Sequence, residues 1–130
     1  MRSLAADVMT SNPSIDAEAG AALVERRLGH RHRVFLGGKA LARDRIIDVT
    51  FRDLSARGTR LIVTEPIAHA GELPVLLLKE GLILRCRIIW ARPPMFGLEI
   101  REAIDVRTEC PEPLATLADA WRAWETSQSA

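Results

Sequence analysis

Leu82-Ile83-Leu84-Arg85-Cys86-Arg87-Ile88-Ile89-Trp90-Ala91 carries the clearest two-residue period in the chain. Leu82, Leu84, Cys86, Ile88 and Trp90 fall on one face, Arg85 and Arg87 on the other. That is the alternation of a half-buried strand, in which Trp90 reads as a core or helix-packing residue and Arg85 and Arg87 as solvated. Pro93-Pro94 ends the stretch, and Phe96, Leu98 and Ile100 then alternate with Gly97, Glu99 and Arg101, which predicts a neighbouring strand. Upstream, Glu80-Gly81 reads as a tight turn after a strand over Leu73–Lys79, and Pro66 and Gly71 bracket a loop. Thr59–Thr64 and Arg45–Asp53 alternate in the same way, the latter with Ile47, Val49 and Phe51 on one face and Asp48, Thr50 and Arg52 on the other. Arg43-Asp44 turns the chain, and Val34–Ala42 forms the first strand, with Gly37-Gly38 permitting a bulge or strong bend. About six short strands joined by Gly, Pro and Asp turns point to a mainly β fold, an antiparallel barrel or sandwich. Closure into a barrel would remove the exposed edges.

After residue 104 the period lengthens to that of a helix. Pro113 suits a first helical turn, and Leu114, Leu117, Ala118, Trp121 and Trp124 then share one side of a C-terminal helix through about Glu125. Two tryptophans on one stripe must bury themselves against the barrel mouth or outer wall. The helix reads as a structural lid or a dimer contact, leaving a homodimer open. Residues 1–24 are Ala-rich, interrupted by Ser11-Asn12-Pro13-Ser14, and lack large apolar residues to dock them. They read as a flexible N-terminal tail, with a short helix open to Asp16–Val24. The barrel domain then spans 25–104, and 105–130 hold the helix and tail.

A chain of 130 residues, 48% of them hydrophobic, is long enough for one domain with a real core. No stretch approaches the roughly 18 apolar residues of a membrane span, so no membrane association is expected. Asp7, Asn12 and Pro13 break up any signal-peptide core. Cys86 and Cys110 form no CxxC motif and have no histidine at ligand spacing, so no metal site is indicated. A reduced cytoplasm is the expected location. The net charge of +1 is uneven: residues 1–24 carry −2, residues 25–64 carry ten bases against four acids for +6, and residues 65–130 carry seven against ten for −3. Such focusing suits a small anion better than a nucleic acid, whose binders are usually basic more broadly.

Two motifs lie in that positive region. Glu25–Arg33 reads E-R-R-L-G-H-R-H-R, with Arg26, Arg27, Arg31 and Arg33. Guanidiniums in that number must be solvated, paired with acids or available to an anion, which they can grip bidentately. Taken alone the run reads first as a solvated face or a weak nucleic-acid patch. Asp53-Leu54-Ser55-Ala56-Arg57-Gly58 lies between two strands. Asp53 and Ser55 there can accept hydrogen bonds from nearby backbone N–H groups, and Gly58 can take a positive φ. By itself that is a strand-to-strand turn.

Together, Arg27-x-x-x-Arg31 (with Arg26 doubling the first arginine) and Asp53-x-Ser55-x-x-Gly58 resemble the signature of the PilZ domain family. Arg33–Leu36, Ile88–Trp90 and Phe96–Ile100 are similar to the family's strands, and the resemblance covers roughly residues 25–102. It implies a six-stranded antiparallel β-barrel that binds the bacterial second messenger cyclic di-GMP. Under that resemblance Arg26, Arg27 and Arg31 hold phosphates or guanine O6 and N7. Asp53 accepts from guanine N1 and N2, Ser55 adds a hydroxyl contact, and Gly58 keeps the loop close to the ligand or simply makes the turn. The Arg-rich lead-in would order on the ligand. A competing register, Gly29-x-x-x-Arg33, would lose the first arginine; Arg33-Val34 reads instead as the strand start, and His30 and His32 as flanking polar residues. No nucleophile–base set, Walker-type loop or paired catalytic carboxylates argue for an enzyme. No cofactor is implied beyond the ligand. With no second domain among these residues to carry an output, signalling to a protein partner in motility, biofilm or exopolysaccharide control is expected. The alternatives are a PilZ-like interaction module that binds no nucleotide, and a small nucleic-acid-binding barrel. The absence of Tyr disfavours the latter.

Overall fold

The computed structural model describes residues 22–24, 36–108 and 110–129. Among these residues seven strands follow in order: β1 (Leu36–Ala42), β2 (Arg45–Leu54), β3 (Gly58–Val63), β4 (Gly71–Glu72), β5 (Val75–Leu77), β6 (Leu82–Arg92) and β7 (Met95–Asp105). A single 3₁₀ turn (Glu112–Leu114) leads into helix α1 (Ala115–Ser129). The sheet order is β4-β6-β5-β1-β2-β3-β7, and β7 pairs again with β6. That last pairing closes β1, β2, β3, β7, β6 and β5 into the expected six-stranded antiparallel barrel. β4, absent from the sequence reading, is a two-residue addition on β6. β7 runs on to Asp105, beyond the alternation read through Arg101.

The barrel is filled by the inward residues of its six strands, among them Ile47, Val49, Phe51, Leu61, Leu84, Cys86, Phe96 and Leu98. Ala22–Val24 are helical, and Val24 joins this core almost fully buried, with Leu23 packed beside it. The expectation that this segment has nothing to dock does not extend to these two residues, because a valine is apolar enough to fill a gap in the core. Gly37 and Gly38 form no bulge. The β1–β2 register is unbroken from Leu36↔Phe51 to Ala42↔Arg45, and what Gly38 supplies is space: a methyl group there would overlap the Phe51 ring and the Leu76 carbonyl.

A second apolar layer lies outside the barrel. Leu76, Ile83 and Ile104 stand opposite one another on β5, β6 and β7 and are buried under α1 with Leu114, Leu117 and Trp121. This explains why Leu82-Ile83-Leu84 is apolar throughout: the strand is buried on both faces there. The two-tryptophan stripe therefore covers the outer wall. Trp121 donates its indole N–H to the Leu78 carbonyl at 3.1 Å, and the Arg107 guanidinium lies 5.0 Å from its ring centre. Among the described residues no helix is long and apolar enough to cross a membrane.

Both cysteines are free thiols. Cys86 is buried in the barrel, where desolvation pushes its thiol far above the usual range; Cys110 is only half-buried, and burial raises it too. A disulfide-exchange reagent is expected to modify one thiol of the native protein and the second only after denaturation, since the thiolate is the nucleophile. Two thiols reacting together in the native state would contradict the placement of Cys86.

Candidate functional site

Strict alternation from Ile47, Val49 and Phe51 would turn Asp53 inward. A bulge prevents it: the β2–β3 register passes from Phe51↔Leu61 to Asp53↔Arg60, so Arg52 is the extra residue and Asp53 emerges on the outer face. The same happens to Trp90. The β6–β7 register passes from Ile88↔Leu98 to Trp90↔Gly97, which makes Ile89 the extra residue and swings Trp90 out of the core. Trp90 is 36% exposed and Ile89 61%. The expectation of a core Trp90 is thus corrected. One extra residue inverts the facing of everything beyond it.

The two bulges complete a row. Asp53 on β2 stands opposite Arg60 on β3, Arg60 opposite Gly97 on β7, and Gly97 opposite Trp90 on β6. Residues in register on adjacent strands share a face, so a carboxylate, a guanidinium, a bare backbone position and an indole line up across the outside of the barrel. The Asp53 carboxylate is ion-paired with Arg60. The indole lies over Gly97, where a methyl group would overlap its Nε1, Cε2 and Cδ1 atoms. Leu54, Ser55, Gly58, Thr59, Ile89 and Leu98 complete an open cleft of about 280 Å³ around this row.

The turn that carries Asp53 is tied at several points. The Ser55 amide donates to the Gly58 carbonyl at 2.9 Å, and the Ile100 amide to the Arg57 carbonyl at 2.8 Å. The Ser55 hydroxyl accepts from the Gly58 amide at 3.2 Å and the Arg57 amide at 3.4 Å, and can donate to the Gly58 carbonyl at 3.2 Å. Buried Thr59 donates to the Asp53 carbonyl at 2.6 Å. Ser55 therefore builds the turn as expected, whereas the Asp53 carboxylate engages Arg60 across the strands. Gly58 opens β3 without a positive φ; a Cβ there would sit 3.1 Å from the Leu98 carbonyl, a tight contact with β7.

Asp53, Ser55 and Gly58 are thus brought together on one cleft. Arg26, Arg27 and Arg31, with the whole Arg-rich lead-in, lie outside the described residues. Sequence reasoning missed Arg60, Ile89, Trp90 and Gly97 as cleft residues. Two signals were present: Ile88-Ile89-Trp90 is too apolar for simple alternation, and a glycine within a strand marks a bulge or a close approach. A larger cleft of about 430 Å³ lies between the β1–β2 turn and residues 66–73. Its charges, Arg43, Arg45, Asp44 and Glu72, balance, and Arg45 is held by Glu65 at 2.9 Å.

Compared with known families, residues 25–110 match the PilZ domain. The chain belongs to the PilZ family. PilZ domains are binding and effector modules rather than catalysts, and generally bind cyclic di-GMP. No curated protein shows a significant match to the chain. In this PilZ domain the Asp-x-Ser-x-x-Gly turn is the stretch that links β2 to β3 beneath the cleft.

Proposed function

We propose that this PilZ domain is a cyclic di-GMP receptor, with the outer cleft beside Asp53 as one half of its site and the Arg-rich lead-in as the other. The observation that carries this is the row Asp53–Arg60–Gly97–Trp90 standing directly above the Asp-x-Ser-x-x-Gly turn. A guanine presents donors at N1 and N2 that a carboxylate accepts, and a π-face that an indole can stack on. At about 280 Å³ the cleft is smaller than the ~300–1,000 Å³ typical of pockets that enclose a drug-sized ligand. It suits one base of a dinucleotide and leaves the phosphates and the other base to Arg26, Arg27 and Arg31. Bidentate guanidiniums are well matched to both. Ser55 and Gly58 hold the turn in place and bring backbone close to the ligand. Ordering the lead-in around the nucleotide is the change a protein partner would read, in motility, biofilm or exopolysaccharide control in the cytoplasm.

Calorimetric titration with cyclic di-GMP, with GTP and a short single-stranded DNA as controls, tests this. Saturable binding of the cyclic dinucleotide alone, near micromolar or tighter (about −8 kcal/mol), is expected. Arg27→Ala and, separately, Arg31→Ala should each weaken it at least about tenfold, roughly 1.4 kcal/mol, with unchanged circular dichroism. Unaltered affinity in both variants would remove the arginines from the site. No binding by the unmodified protein would favour a nucleotide-independent interaction module.

A further inference from the structure

Asp53 and Arg60 are respectively the one carboxylate and the one cation among the residues that line the cleft, and they are paired with each other. A ligand bearing two phosphodiesters is a dianion. Bringing it beside an ionised carboxylate costs Coulomb energy, and low-dielectric walls such as Leu54, Ile89, Trp90 and Leu98 raise that cost. Yet guanine recognition needs an acceptor at Asp53. We propose that Arg60 resolves this conflict as a charge-compensating, positioning residue: it neutralises Asp53 and holds its carboxylate in the row, so that the cleft can take an anionic nucleotide. This role rests on the cyclic di-GMP reading.

Three features of the structure make Arg60 suited to it. Its place is set by backbone register, opposite both Asp53 and Gly97, not by a mobile loop. The pair is only partly solvated on the Asp53 side, whose side chain is 23% exposed against 51% for Arg60, so the carboxylate is the more constrained partner and the guanidinium the freer one. Finally, Gly97 stands between Arg60 and Trp90 in the row and adds no side chain there, so the indole alone covers that position.

A neutral acceptor removes the need for compensation, and this gives the test. Cyclic di-GMP is titrated into the unmodified full chain, Arg60→Gln, Arg60→Lys, Asp53→Asn and the Asp53→Asn/Arg60→Gln double variant, each first checked by circular dichroism. Arg60→Gln is expected to weaken binding about fivefold or more, within the range of coupling between contacting residues. Arg60→Lys should recover most of that loss, because it keeps the charge. In the Asp53→Asn background the same Arg60→Gln change should cost less than about twofold, the mark of a coupled pair. Equal losses in the two backgrounds, or an unchanged or tighter Arg60→Gln, would overturn the role while leaving the receptor reading intact. Should Asp53→Asn itself abolish binding, Arg60→Lys decides, and its failure to restore affinity overturns the role. No saturable binding by the unmodified chain would instead bring down the receptor reading, and this role with it.

Discussion

Trp121→Ala is expected to lower the free energy of unfolding by about 3–5 kcal/mol, the usual cost of emptying a buried Trp site. For a domain of this size that is a fall in Tm of roughly 10–20 °C. The side chain is 7% exposed and closes the layer formed by Leu76, Ile83, Ile104 and Leu117. Three contributions are lost together: the buried indole surface, the hydrogen bond to the Leu78 carbonyl and the Arg107 guanidinium stacked at 5.0 Å. Trp121→Phe keeps most of the surface and loses the hydrogen bond, so it should cost only about 1–2 kcal/mol. Neither change should move cyclic di-GMP affinity more than about twofold. The reason is geometric. On the shared strands, α1 covers the end marked by Ile46, Ile83 and Ile104, whereas the cleft lies at the other end, at Asp53, Ile89–Trp90 and Gly97–Leu98. Thermal denaturation and calorimetry on the same samples check this, and a loss of affinity larger than the loss of stability would assign the helix to the site.

Gly38→Ala is the second large effect expected, a destabilisation of about 3 kcal/mol from a single added methyl group, at the upper end for overpacking. Gly38 pairs with Val49 on one side and Leu77 on the other, and the new carbon would overlap the Phe51 ring and the Leu76 carbonyl. Phe51 is fully buried, so its ring can move only by displacing other core side chains. The Leu76 carbonyl is backbone, and it can retreat only by parting β5 from β1, one of the pairings that close the barrel. Gly37→Ala is the control, because a Cβ at Gly37 meets nothing within 4 Å. It should be neutral, or stabilising by a few tenths of a kcal/mol, as the strand loses a flexible residue. Urea midpoints of the two variants make the comparison; equal shifts would mean that close packing against Phe51 is not what Gly38 provides.

Much of the barrel was legible because alternation is local. Ile47, Val49 and Phe51 on β2 and Leu82, Leu84, Cys86 and Ile88 on β6 face the core as their period requires, and the Leu114–Trp121 stripe buries itself as a helix stripe must. The turn at Ser55 was equally local, since its hydroxyl bonds within three residues. Gly37-Gly38 misled for a reason that lies outside the strand: the space Gly38 leaves is taken by Phe51 and Leu76, and neither is a sequence neighbour. Trp90 misled because its facing depends on a bulge, and a bulge is a property of two strands paired together, not of one.

The cleft marks the same boundary. That the chain alternates, where it turns, that a helix follows, and that a carboxylate and a hydroxyl sit in one strand connection could all be read from residue order. Those are short-range consequences of side-chain size, polarity and backbone freedom. That Asp53 meets Arg60, that Arg60 meets Gly97 and that Trp90 folds over Gly97 was settled by folding. Those contacts depend on the register between strands far apart in the chain. Register is fixed by packing of the whole barrel interior, which is why two single-residue bulges can turn two would-be core positions into the two ends of one surface row.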